Sequence, residues 1–217
     1  MIYYILSSMR KSCVSAIFLF FSLTAWGLPY LGVDTGLLFI IDMEAAGAPN
    51  PVILQGLGVT LPFIDTGEGF FLDAGAMVFM CPYQWYQNRA IPADSERVDT
   101  VGVVFLQLDM HVGTLFKLSK ELTFGVSGGP ALVFPFPLFA YDNGSAYIGS
   151  MYTYFYSKFK FISLEAELLL RWAIVKDLNL TFKVRGLYPL SALWDDPAIS
   201  RINGLNIQGL VSVEIRL

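Results

Sequence analysis

The chain has 217 residues, 55% of them hydrophobic and only 15% charged, with a net charge of −4. Soluble domains usually carry roughly a quarter charged residues, so this balance calls for an apolar solvent or a very large core. The acidic balance makes no case for a nucleic-acid partner, and two cysteines, Cys13 and Cys81, set up no disulfide framework.

The first 27 residues read as a secretory signal that is cleaved. Arg10 and Lys11 give a basic start, Val14 to Leu23 a short apolar run, and Ala25-Trp26-Gly27 small residues at the cleavage spacing. The run falls short of the roughly 20 residues that a spanning helix needs. Met9 is an alternative start. The mature domain is then 28–217.

From residue 28 on, segments of alternating apolar and polar residues recur. The clearest is 161–172: Ile162, Leu164, Ala166, Leu168, Leu170 and Trp172 share one face, and Ser163, Glu165, Glu167 and Arg171 share the other with Leu169. A period of two is a strand. An apolar face backed by charges suits a wall between lipid and a polar interior. Eight strands are predicted, over 30–42, 52–63, 69–82, 98–116, 121–136, 152–174, 178–189 and 203–217. Short connections (64–68, 117–120, 176–177) alternate with long ones (43–51, 83–97, 137–151, 190–202). The fold class is therefore all-β, an eight-stranded antiparallel up-and-down transmembrane β-barrel. Long loops are expected outside the cell and both termini on the periplasmic side of a bacterial outer membrane. A soluble barrel with an apolar interior would leave the apolar outward faces wet.

The inward parity divides into two levels. Near the short turns it collects Asp34, Asp73, Asp109, His111, Glu165, Glu167, Arg171, Lys183, Arg185 and Glu214. Buried charges of both signs must pair across the lumen; they form a charged plug, which either simply fills a small barrel or offers an ion path. Nearer the long loops the inward parity turns apolar. Leu54, Met77, Phe79, Phe105, Phe161 and Leu187 are the candidate ligand-binding residues, with Leu38, Ile40, Val52, Val103, Ala131, Val133, Phe159 and Leu210 at the same level. This level is either plain packing or an apolar pocket open to the exterior. The inward glycines Gly56, Gly58, Gly75, Gly125 and Gly129 favour a pocket by leaving room.

The fifth strand carries Pro130, Pro135 and Pro137, none of which donates to a ladder. Either a lateral gap opens there, through which an apolar solute leaves for the membrane, or the strand ends near Gly129 and the prolines shape a loop. Lys158 and Lys160 either reach anionic headgroups or belong to a loop. His111, Asp109 and Ser127 share the inward parity as a hydrolase triad would, but inside the plug, and no enzyme is expected. The chain lacks a His or Cys cluster for a metal and a phosphate-cradling glycine loop, so no cofactor is expected.

Signal, alternating strands, tight turns and a final strand, 204–217, that alternates to its end resemble the small outer-membrane barrels of the OmpW, OmpX and OmpA transmembrane type. That last strand is similar to the signal read by the barrel-assembly machinery, although it ends on Leu217 where such proteins commonly end in Phe. The apolar upper lumen and the proline-rich wall are most similar to OmpW, which implies passive uptake of small hydrophobic solutes. A filled lumen would resemble OmpX and OmpA, implying a non-conducting surface protein whose loops, chiefly 83–97 and 137–151, bind host or lipid.

Overall fold

The computed structural model describes residues 28–42, 51–62, 69–93, 99–193 and 204–217. The predicted signal, the connections 43–50, 63–68 and 194–203, and part of the loop 83–97 lie outside the described residues.

The strands are β1 (Tyr30–Ile41), β2 (Val52–Pro62), β3 (Gly69–Tyr86), β4 (Arg89–Pro92), β5 (Thr100–Lys117), β6 (Leu122–Ala140), β7 (Ile162–Val175), β8 (Leu178–Pro189) and β9 (Leu205–Arg216). All pairings are antiparallel, and the sheet closes through β1 on β9 and β2 on β3. Eight strands form the barrel, and β4 is a short extension hydrogen-bonded to the end of β3. Closure pairs each of the eight barrel strands on both sides over most of its described length, which removes free sheet edges there.

Alternation fixes which side of the wall each residue faces. Leu57, Val78, Val112, Leu168 and Val213 are exposed on the outer face, while their neighbours Gly58, Met77, His111, Glu167 and Ser212 are buried in the lumen. Tyr30 pairs with Arg216, so the ends of the barrel strands meet beside the 118–121 and 176–177 turns. That rim is called the turn end below, and the opposite rim the loop end. At the turn between β5 and β6, Ser119 Oγ accepts from the backbone N–H groups of Glu121 and Leu122. This side-chain turn needs no glycine.

Three elements differ from the sequence expectation. The segment 152–161 is not strand. A 3₁₀ turn (Asp142–Tyr147), a helix α1 (Ile148–Tyr156) and a second 3₁₀ turn (Ser157–Phe159) precede β7, which begins only at Ile162. The apolar residues Ile148, Met151 and Phe155 fall at helical spacing, and Met151 and Phe155 are the buried pair of α1. β3 continues past residue 82 to Tyr86 and turns back through Gln87 and Asn88. Both of these have positive φ (48° and 62°), as the two central residues of a tight hairpin require. β6 runs to Ala140, past the expected end at 136 and well past Gly129, paired with β5 except opposite Met110 and His111 and at an irregularity beside Gly102 and Val103.

Candidate functional site

The charged level of the lumen is built on β1, β3, β5, β7, β8 and β9, each contributing alternate residues. Arg185 on β8 sits at its centre. Its Nε lies 2.5 Å from Glu167 and 3.3 Å from Glu165, its Nη1 3.4 Å from Asp109, and its Nη2 3.9 Å from Asp73. Lys183 lies 3.3 Å from Asp34 and 3.8 Å from both Asp73 and Glu214, and Arg171 Nε lies 2.7 Å from Glu214. Gln107 Nε2 donates to Asp109 and Glu165, and Gln208 donates to Gln107. The structure thus brings Asp109, His111, Glu165, Glu167, Arg171, Lys183 and Arg185 into one network. Gln107 and Gln208, both fully buried, were missed as members because amides carry no charge signal.

Within this network Ser127 donates to Glu167 (3.1 Å), while His111 Nε2 lies 3.2 Å from Glu165 Oε1. The serine is thus directed at a carboxylate and not at the imidazole that a triad would place beside it. Asp73, His111 and Glu167 offer three donor atoms within 4.8 Å of one another, a grouping the sequence reading did not foresee. Arg185 already approaches both of these carboxylates and Lys183 approaches Asp73, and their positive charge opposes a metal ion there.

The apolar level is packed. Leu54, Met77, Phe79 and Phe105 belong to one buried cluster with Leu38, Cys81 and Tyr83. Phe79 and Phe105 stack with ring centroids 4.8 Å apart. Leu187 is fully buried on β8. Helix α1 closes this level from the loop end. Met151 is fully buried, and Phe155 sets its ring edge-on to Tyr83 and Phe105, at 5.3 and 6.1 Å. Phe159 and Phe161 are not part of the cluster. Phe159 is 62% exposed, in a turn where Lys158 and Phe159 itself take positive φ. Phe161 stacks on Phe134 and leans on Tyr156 at the rim. The chain curls there ahead of β7, so the alternation of that strand does not extend to it.

The inward glycines do not create free space. A Cβ at Gly129 would stand 2.0 Å from the Met110 carbonyl oxygen, and one at Gly75 2.6 Å from Asp109 Oδ1. These glycines admit close neighbours. A cavity of about 140 Å³ lies elsewhere, between the apolar cluster and the loop-end rim. Phe105, Phe155, Val133 and Pro135 supply apolar walls, and Ser163 and Asn206 polar ones.

This cavity abuts a described stretch of the wall where one strand loses its ladder partner. The β6–β7 pairing ends at Leu132 with Ile162, although β6 runs eight residues further, to Ala140. Val133 donates its N–H across to Phe161, so by alternation Pro135 and Pro137 turn their proline nitrogens to that same side. Proline belongs on such an edge because no donor is missed. Pro130 has the opposite parity and faces β5, where the register lacks the pairs at Met110 and His111. The three prolines therefore act on two different seams. The open stretch is partly covered by α1, whose Tyr156 hydroxyl donates to the Pro135 carbonyl at 3.2 Å.

No protein-family profile and no curated protein sequence matches the chain. Solved structures do. Neisserial surface protein A aligns over 87% of this chain and 97% of its own, with 9% identity and a TM-score of 0.53. The outer membrane protein OprG from Pseudomonas aeruginosa aligns over 88% and 94%, with 10% identity and a TM-score of 0.50. The outer membrane enzyme PagL aligns over 87% and 99%, with 10% identity and a TM-score of 0.46. At such identities the likeness is one of fold: this chain is a small eight-stranded barrel of the outer-membrane type.

Proposed function

We propose that the barrel stands in a bacterial outer membrane with its loop end facing outward, and that it admits small apolar solutes and releases them sideways into the bilayer. The observation that carries this reading is the seam above Leu132 and Ile162, where β6 has no β7 partner and the cavity lies against Val133 and Pro135. A solute in that cavity has packed side chains beneath it and an incomplete wall beside it. Lateral release is then the shorter path, because the charged level below is filled by hydrogen-bonded ion pairs. Entry requires α1 to lift Met151 and Phe155 from the apolar cluster. In this reading Phe79, Phe105, Leu54 and Met77 line the space that α1 vacates, and Leu187 borders it.

The reading is tested by uptake into liposomes carrying the purified barrel, with an apolar fluorophore compared against a polar one of equal size. Selective uptake of the apolar probe supports it, and no uptake of either removes it.

A second reading is favoured by the same packing. A lumen filled at both levels suits a non-conducting surface barrel. Its loop end carries exposed aromatic residues, among them Phe139, Tyr141 and Phe159, that would contact a host surface or lipid. Segments 83–97 and 137–151 are then the binding region.

A further inference from the structure

One stretch of the outer wall is not apolar. Thr35 on β1 and Gln55 on β2 are register partners, and both are exposed on the outward face. Their outward neighbours along each strand are exposed and apolar: Val33 and Leu37 flank Thr35, and Ile53 and Leu57 flank Gln55. Across the adjoining ladders Thr35 faces Val211 and Gln55 faces Val78, which are exposed as well. A hydroxyl and a primary amide therefore stand together in a field of aliphatic side chains.

Depth decides what they can reach. Thr35 is midway along β1 (Tyr30–Ile41). A strand that rises about 3.4 Å per residue and tilts by about 40° puts the pair roughly 13 Å from the turn-end rim, near the middle of an apolar band about 25 Å tall. Neither side chain is hydrogen-bonded to another described residue. Hydrocarbon offers no donor or acceptor, so only a partner from outside the chain offsets the cost of taking these groups out of water. The wall leaves room for one. Gly209, the register partner of Leu37, and Ala76, the partner of Leu57, are both exposed, and a Cβ at Gly209 would have nothing within 4 Å. Small residues let two spanning walls approach closely, and polar side chains hold them together in lipid.

We propose that the β1–β2 wall is the interface with a second copy of this chain. A primary amide carries both donors and an acceptor, so it is complementary to itself. Two barrels inserted in the same direction are related by a two-fold axis along the membrane normal, the commonest closure of homo-oligomers. That axis brings Gln55 against the partner's Gln55, with Thr35 beside it as a second donor and acceptor. In the closed strand order β1 lies opposite β6. The interface thus leaves the open seam facing lipid, and it stands whether or not the barrel conducts.

The test uses the full chain in outer membranes, with p-benzoylphenylalanine in place of Leu57, beside Gln55 on the outward face. Irradiation is expected to give a product of twice the chain's mass. The same probe in place of Leu168, on the opposite wall, gives lipid adducts only. Energy transfer between donor- and acceptor-labelled copies in liposomes, over a range of protein-to-lipid ratios, then measures the association. Gln55→Leu is expected to weaken it about tenfold, as the loss of two polar contacts in lipid would, and Thr35→Val by less. Both variants set an apolar side chain against lipid, and the gel mobility of the unheated barrel checks that they fold. A Leu57 product with lipid alone or with a different protein overturns the proposal. So does association that is unchanged by Gln55→Leu, or a dimer product as abundant from Leu168 as from Leu57.

Discussion

Val133 donates its backbone N–H to the carbonyl of Phe161 at 2.7 Å, one step beyond the final β6–β7 register pair. Past this bond β6 continues toward Ala140 while the neighbouring chain leaves the sheet for the 3₁₀ turn and α1. The wall there is partly covered by a helix and a tyrosine hydroxyl and has no ladder.

The first prediction concerns that substitute wall. Pro135→Val and Pro137→Val add donors on the side where a strand could pair, and Pro130→Val adds one facing β5. If solutes leave beside β6, Pro135→Val with Pro137→Val lowers uptake of an apolar probe into liposomes while the barrel stays folded, and Pro130→Val, on the other seam, does not. Unchanged uptake would place the exit elsewhere.

A second prediction concerns α1 as the cover of the apolar level. Cys81 is fully buried in the cluster that Met151 and Phe155 complete. In a Cys13→Ser background, reaction of Cys81 with a maleimide reports opening of that cluster. Phe155→Ala removes core packing that large-to-small changes put at about 3–5 kcal/mol. Labelling of Cys81 should then accelerate by more than about tenfold, as a weaker local closure requires. Equal rates would mean that α1 is not what shields the thiol.

The plug gives a stability prediction. Arg185 is buried among Asp73, Asp109, Glu165 and Glu167. Arg185→Ala leaves those carboxylates without their central cation and should cost about 3–5 kcal/mol, the usual loss on breaking a buried pair. Urea unfolding of the barrel in lipid vesicles measures it. Arg185→Lys keeps the charge but loses the planar fork, and should recover only part of the loss.

Gly129→Ala tests close approach of the strands. The added Cβ would meet the Met110 carbonyl oxygen at 2.0 Å, and backbone cannot move aside as a side chain can. A loss of about 1–3 kcal/mol is expected, typical of overpacking. Gly186→Ala, whose Cβ would have nothing within 4 Å, is the control and should be neutral.

Much of the barrel is legible because each wall residue faces one of two unlike media. Leu164, Glu165, Ala166 and Glu167 alternate between lipid and lumen, and that contrast survives in the sequence as a period of two. The same logic collects the plug charges on one parity. It fails where the chain leaves the wall. Tyr152, Thr153, Tyr154, Phe155 and Tyr156 all suit strands by propensity, and only the spacing of Met151 and Phe155 betrays the helix. Phe161 was placed in the lumen by extending β7 through a segment that is a turn. The glycines misled for a related reason: a missing side chain marks a close neighbour as readily as an empty space. The cavity was legible only in part: Ile40, Phe105 and Val133 follow from the inward parity, whereas residues of β4, α1 and the start of β9 meet them only in three dimensions.

The central claim is that apolar solutes enter the loop end and leave beside β6. The most direct measurement is uptake of size-matched apolar and polar fluorophores into liposomes carrying the folded barrel, in the native chain and in Phe105→Asp. The account predicts uptake of the apolar probe alone, lost when Phe105 becomes charged. A folded native barrel that passes neither probe would contradict it and turn attention to the exposed aromatic loops.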